Sequence, residues 1–172
     1  MMDLEHLLSA DYVVYKSNCV CKVEGLEERV IAGRLDKRNY LVLVPINKRE
    51  SKTYVPADNE ILIGKIRKAL TKEEIDNVLM SVKGRETPWQ EDRKARSEYF
   101  KSVINDGNHM ELILMIRCIM SRKQALLKSH RKISGQDDSA LQNAVKMISE
   151  EFAFSLGITK DAVAEYVRNA LD

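Results

Sequence analysis

Cysteine is scarce in this 172-residue chain, and what there is does not pair. Cys19, Cys21 and Cys118 are odd in number and lack CxxC spacing. That excludes a disulfide scaffold and leaves the reduced thiols expected of a cytosolic protein. Cys19 and Cys21 would share one face of a strand, but two thiols make a poor zinc site, so they read as packing residues. Long hydrophobic runs are also missing. The longest, residues 110–120, is interrupted by Glu111 and Arg117 and is too short to span a bilayer. No charged-then-apolar-then-small pattern opens the chain, so no secretory signal is expected. There is no GxxxxGK[ST] loop, no GxGxxG and no HExxH. His6, His109 and His130 stand far apart with no ligand spacing around them. The carboxylate pairs Glu27-Glu28, Glu73-Glu74 and Glu150-Glu151 read as polar or helix-surface residues, with no nucleophile–base pairing. A non-enzymatic role without metal or cofactor is the expectation.

The chain does have enough apolar material, 44% of its residues, to bury one large or two small cores. Its net charge of +2 hides an asymmetry. Residues 83–132 carry twelve Lys/Arg against six Asp/Glu, a net of +6, and residues 133–172 carry three against seven, a net of −4. A polyanionic partner suits the basic segment, and so does an ordinary solvated helix face.

Up to about Ile61 the pattern is one of strands: residues 12–15, 19–23, 29–32, 40–44 and 52–55. Of these, 40–44 looks buried on both faces. Short strands at this spacing predict a small closed barrel. The period then turns helical. Thr71 and Glu74 form a capping box for a helix ended by Gly84, and residues 84–87 read as a linker. Thr87 would cap a helix from Pro88 to about Ile104. Residues 105–108 break it before a central helix over about 109–129. Asp137 or Asp138 would cap a helix reaching Leu156 and stopped by Gly157, and Thr159 would cap the last one. The fold class expected is α+β: a front β domain over residues 1–68 and an all-helical bundle over residues 69–172.

The lone tryptophan, Trp89, falls in the first turn of the helix expected after Thr87, with Arg93, Lys94 and Arg96 within two turns. An aromatic beside cations can offer nucleic acid an apolar wedge and phosphate ligands together. At helical spacing Trp89 also lies near the face of Phe100 and so could be core. The charged turn of Asp92, Arg93 and Arg96 places it rather at the rim, bared to solvent. Arg122 and Lys123, late in the central helix, could join a DNA face or simply be solvated.

The order of several stretches resembles the CarD/CdnL family of bacterial transcription regulators over nearly the whole length. These are Tyr12-Val13-Val14-Tyr15, Cys21-Lys22-Val23-Glu24, Tyr40-Leu41-Val42-Leu43 and Tyr54-Val55-Pro56-Ala57-Asp58-Asn59. Behind them come Trp89, the stretch 96–99, Glu111-Leu112-Ile113, Glu150-Glu151-Phe152-Ala153 and residues 154–158. The resemblance implies a Tudor-like front domain that docks on the β subunit of RNA polymerase. A related module occurs in the transcription-repair coupling factor. It implies polymerase-facing roles for Arg29 and Tyr54, although the family often has arginine at the second, and a tyrosine there could equally pack across the sheet. Where the family has proline and glycine after Tyr15, this chain has Lys16-Ser17-Asn18, and Asn18 can replace the glycine because asparagine tolerates the left-handed conformation. It implies a rear domain that binds promoter DNA at the upstream edge of the bubble. There Trp89 would wedge into the minor groove while Arg93, Lys94, Arg96, Arg122 and Lys123 meet phosphates without reading sequence. A cytoplasmic, polymerase-associated location follows. The rival expectation is an adaptor that binds polymerase without touching DNA, favoured by Glu91, Asp92 and the acidic segment after Ile133.

Overall fold

The computed structural model describes residues 4–16, 18–30, 37–47 and 51–171, which fall into two compact units, Met1–Ala69 and Leu70–Asp172. In the first, a short helix α1 (Leu4–Leu8) precedes strands β1 (Tyr12–Tyr15), β2 (Cys19–Val30), β3 (Lys37–Pro45) and β4 (Thr53–Pro56), followed by a single-turn helix α2 (Glu60–Ile63). The strands form an antiparallel meander in the order β1-β2-β3-β4. The sheet is open, which corrects the closed barrel expected from strand spacing. The outer edge of β1 is met not by β4 but by the backbone of Arg67, which exchanges both hydrogen bonds with Val14. Strand count and spacing are the same for an open and a closed sheet, and only this edge pairing separates them.

Leu7, Val13, Tyr15, Cys21, Leu41, Leu43, Val55, Ile63 and Ile66 form the core of this unit. Tyr40 to Val44 are all buried, as the uninterrupted apolar run predicted. Asn18 takes a left-handed φ of 53°, as its substitution for glycine required, and its amide oxygen accepts a hydrogen bond from Arg67 at 3.0 Å. β2 is one long strand rather than two. Between Val23 and Gly25 the register against β3 shifts, and Gly25, at φ 119°, supplies a conformation that side-chain-bearing residues rarely take. The expected strand 29–32 continues β2 to Val30; Ile31 and Ala32 lie outside the described residues.

The second unit holds α3 (Lys72–Val82), α4 (Arg93–Asp106), α5 (His109–Lys128), α6 (Gly135–Leu156) and α7 (Lys160–Leu171). The Thr71–Glu74 capping box is present, and Thr159 accepts from the Ala162 amide at the start of α7. Gly107 and Gly157 end α4 and α6 in left-handed conformations. The apolar stripes of the five helices meet around Ile75, Leu79, Phe100, Leu112, Met115, Ile119, Met147, Ile148 and Phe152. Two caps differ from expectation. Ser134, not Asp137 or Asp138, caps α6, and Asp92, not Thr87, caps α4 through a 2.6 Å bond from the Ala95 amide. At α4 the Asp92 carboxylate also meets the positive end of the helix dipole, whereas at α6 Asp137 and Asp138 lie inside the first turn, behind the Ser134 hydroxyl that accepts from the Asp137 amide. Residues 85–92 are therefore an extended segment leading into α4, and Trp89 lies in it rather than on the helix. Among the described residues no helix is long and apolar enough to cross a membrane.

Candidate functional site

On the first unit the sequence-predicted pair meets across the sheet, Arg29 on the far end of β2 and Tyr54 on β4. β2 runs on for seven residues beyond Val23, past the end of its pairing with β1. The Arg29 guanidinium sits 3.9 Å above the ring of Tyr54, and its Nε donates to Glu27 at 2.8 Å. Tyr54 in turn meets Tyr40 edge-on, centroids 6.5 Å apart. Tyr54 thus packs across the sheet and also forms the base of an exposed cation–aromatic patch. Lys37–Glu28, Arg38–Asp58 and Lys52–Glu24 ion pairs surround it, and Leu26 and Val30 stand exposed on β2.

On the second unit the structure gathers Trp89, Arg96 and Arg122 and leaves the other expected residues apart. Trp89 is half-buried. Its ring lies edge-on to Phe100 at 6.3 Å, with Arg96 Cζ 4.4 Å and Arg122 Cζ 5.3 Å from its centroid. The indole is at the rim, with cations flanking it, but it is not bared to solvent. The Arg96 and Arg122 guanidiniums, attracted to the indole, and the ring of Phe100 cover part of it.

Arg96 departs furthest from the sequence expectation. It is 7% exposed. Its Nε and Nη2 bond the two oxygens of Asp137 at 3.1 and 3.2 Å, and Nη1 donates to the carbonyls of Gln90 and Glu91 at 2.6 and 3.2 Å. Four of its five N–H groups are committed, and its burial keeps the guanidinium from a phosphate. Burial alone would push the Asp137 carboxyl up, yet hydrogen bonds from Arg96 and Ser134, with the Arg96 charge, hold it below the usual carboxylate range. Arg122 pairs with Glu91 and Lys123 with Asp138. Arg93 and Lys94 are exposed and make no ion pair among the described residues. With Ser97, Glu98, Lys101 and Gln136 they line a shallow groove beside the start of α6.

Sequence reasoning missed one buried polar centre. Glu151, read as a surface residue, is fully buried, and its neighbour Glu150 is 7% exposed. Glu151 accepts from the Leu70 amide at 3.1 Å and lies 2.7 Å from His109 Nε2, whose ring stacks on Phe152. The signal was available: residues 144, 147, 148 and 151 fall on one helical stripe. Cys19 and Cys21 do share a strand face, their sulfurs 4.0 Å apart, and the hydrogen bond with Cys19, together with burial, raises the Cys21 thiol far above its ordinary value. No group of three or more His, Cys, Asp or Glu among the described residues is placed to hold a metal.

Comparison with family models matches residues 9–69 to the CarD-like/TRCF RID domain. Comparison with curated proteins gives no match.

Proposed function

We propose that the chain is a transcription regulator holding two partners at once, a reading supported by the match of residues 9–69 to the CarD-like/TRCF RID domain, a protein-interaction module that suggests engagement of RNA polymerase. The front domain, residues 1–68, docks on the polymerase β subunit through Arg29 and Tyr54. The rear domain, residues 69–172, contacts upstream promoter DNA and prolongs the open complex. The observation that carries the DNA half is the cation-flanked indole of Trp89 at the rim of the helical unit. An apolar ring entering the minor groove offsets unstacking, and Arg93 and Lys94 supply phosphate ligands without base readout. Arg122 and Lys123 join them only by leaving Glu91 and Asp138, and Arg96 takes no part in phosphate contact.

The adaptor reading has a specific observation in its favour: three of the cations expected on DNA are already neutralised by carboxylates. One experiment separates the two readings. Open-complex lifetime on a promoter is measured with the full chain, with Trp89→Ala and with Arg29→Glu, beside co-purification with polymerase. The full chain should lengthen the lifetime. Trp89→Ala should lose that effect while still co-purifying, and Arg29→Glu should lose both. A full chain that co-purifies but leaves the lifetime unchanged is an adaptor.

A further inference from the structure

We propose that Arg96 and Asp137 form a positioning lock that holds Trp89 ready for its partner, a reading that rests on Trp89 as the DNA-contacting ring. The segment 85–92 belongs to no helix and no sheet, so its path depends on what grips it. Two arginines grip it by its carbonyls. At its start Arg117, from α5, donates to the carbonyls of Val82 and Arg85 at 3.1 and 2.9 Å. At its end Arg96 donates to those of Gln90 and Glu91, the two residues after Trp89, and lays its guanidinium on the indole itself. One side chain thus fixes both the ring face and the backbone that carries it.

Asp137 orients that side chain. Its two oxygens accept from Nε and Nη2, which sets the guanidinium plane and turns Nη1 toward the carbonyls. The Ser134 hydroxyl donates to Asp137 at 2.7 Å, and Ser134 in turn caps α6. The chain of contacts runs from the α6 N-terminus through Ser134, Asp137 and Arg96 to Trp89. An ion pair so buried adds little stability over an apolar filling. It adds direction: a lysine could supply the charge but not the fork that meets a carboxylate, two carbonyls and a ring together. A locked ring binds without first being ordered, and the affinity of a site falls in proportion to the fraction of time it is competent.

Trp89 is the only tryptophan, so its fluorescence reports this position alone. Arg96→Lys and Asp137→Asn are compared with Arg93→Gln in the full chain, with thermal melts as the check on folding. Acrylamide quenching should rise in both lock variants and not in Arg93→Gln. On a labelled upstream-fork duplex the lock variants should bind about tenfold more weakly, for a ring presented about one-tenth of the time, with an unchanged salt slope. Arg93→Gln should instead flatten the slope by about 0.9. Unchanged quenching in a folded Arg96→Lys overturns the lock. So does a slope flattened as in Arg93→Gln, because Arg96 would then be a phosphate ligand. If the unaltered chain does not bind the duplex, the DNA reading fails and quenching alone decides the lock. If both lock variants unfold, the anisotropy decay of Trp89 in the unaltered chain decides it. A locked ring shows only overall tumbling, and a large fast component refutes it.

Discussion

The number of cations left uncommitted sets how steeply DNA binding must depend on salt. Six basic or aromatic positions were legible in the sequence, five of them charged, but Arg96, Arg122 and Lys123 each hold a carboxylate. Arg93 and Lys94 remain, with Lys101 beside them in the same groove. Each neutralised phosphate contributes about −0.9 to the slope of log affinity against log salt, so two to three contacts give about −1.8 to −2.7. Raising salt from about 50 to about 200 mM should then weaken fork-duplex binding by roughly 12- to 40-fold. Had all six cations, Lys101 included, been free for phosphates, the slope would be about −5.4 and the loss roughly 2,000-fold. Anisotropy titrations of a labelled fork duplex at four salt concentrations separate these outcomes. A slope steeper than about −4 would refute the reasoning, because the paired cations would have exchanged their carboxylates for phosphates.

Two further measurements bear on the helical unit that presents Trp89. Glu151→Ala removes one partner of a buried pair and strands the Leu70 amide and His109, and should cost about 3–5 kcal/mol. For a unit of this size that is a fall of at least about 12 °C in the melting midpoint, read by calorimetry; a shift under about 4 °C would remove Glu151 from the core. The acid limb should involve Asp137, whose carboxyl is lowered from the ordinary 3.8 in the folded state. Its contribution is complete above that value and is lost as pH falls through the lower folded one. Urea midpoints between about pH 6 and pH 2.5 should decline in the unaltered chain and flatten in Asp137→Asn, and parallel declines would count against the Arg96–Asp137 bond.

What the sequence made legible follows from how local each feature is. The Thr71 box, the Thr159 cap and the stops at Gly107 and Gly157 are satisfied within four residues, and the structure has each of them. The helix α1 is five residues long and too short to show a period. Between the expected strands 19–23 and 29–32 no strand is read, because Glu24, Glu27 and Glu28 crowd the stretch, yet it pairs with β3, and Lys37 meets Glu28 across the two strands. At the candidate site the residue types were legible and their commitments were not. Arg96 looks like any exposed arginine until Asp137, 41 positions later, closes on it. Trp89 looked helical because Thr87, Pro88 and Gln90 form a plausible start; Asp92 prevailed because its carboxylate meets the Ala95 amide one turn later.

The shortage of free cations bears on how such a chain would act. A protein with few phosphate contacts binds DNA in the non-specific range, about 10⁻⁴ to 10⁻⁶ M at physiological salt, and on its own spends little time on any one promoter. If the front domain holds polymerase as proposed, the helical unit would face upstream DNA at an effective concentration of about a millimolar. Against a dissociation constant of about 10⁻⁴ M that is already about nine-tenths occupancy. On the proposed function, pairing Arg122 with Glu91 and Lys123 with Asp138 would hold the free chain off bulk DNA, so that engagement would depend on polymerase having placed the fork within reach. Glu91→Gln, which frees Arg122 without touching the buried lock, would raise binding to any duplex and erode that dependence.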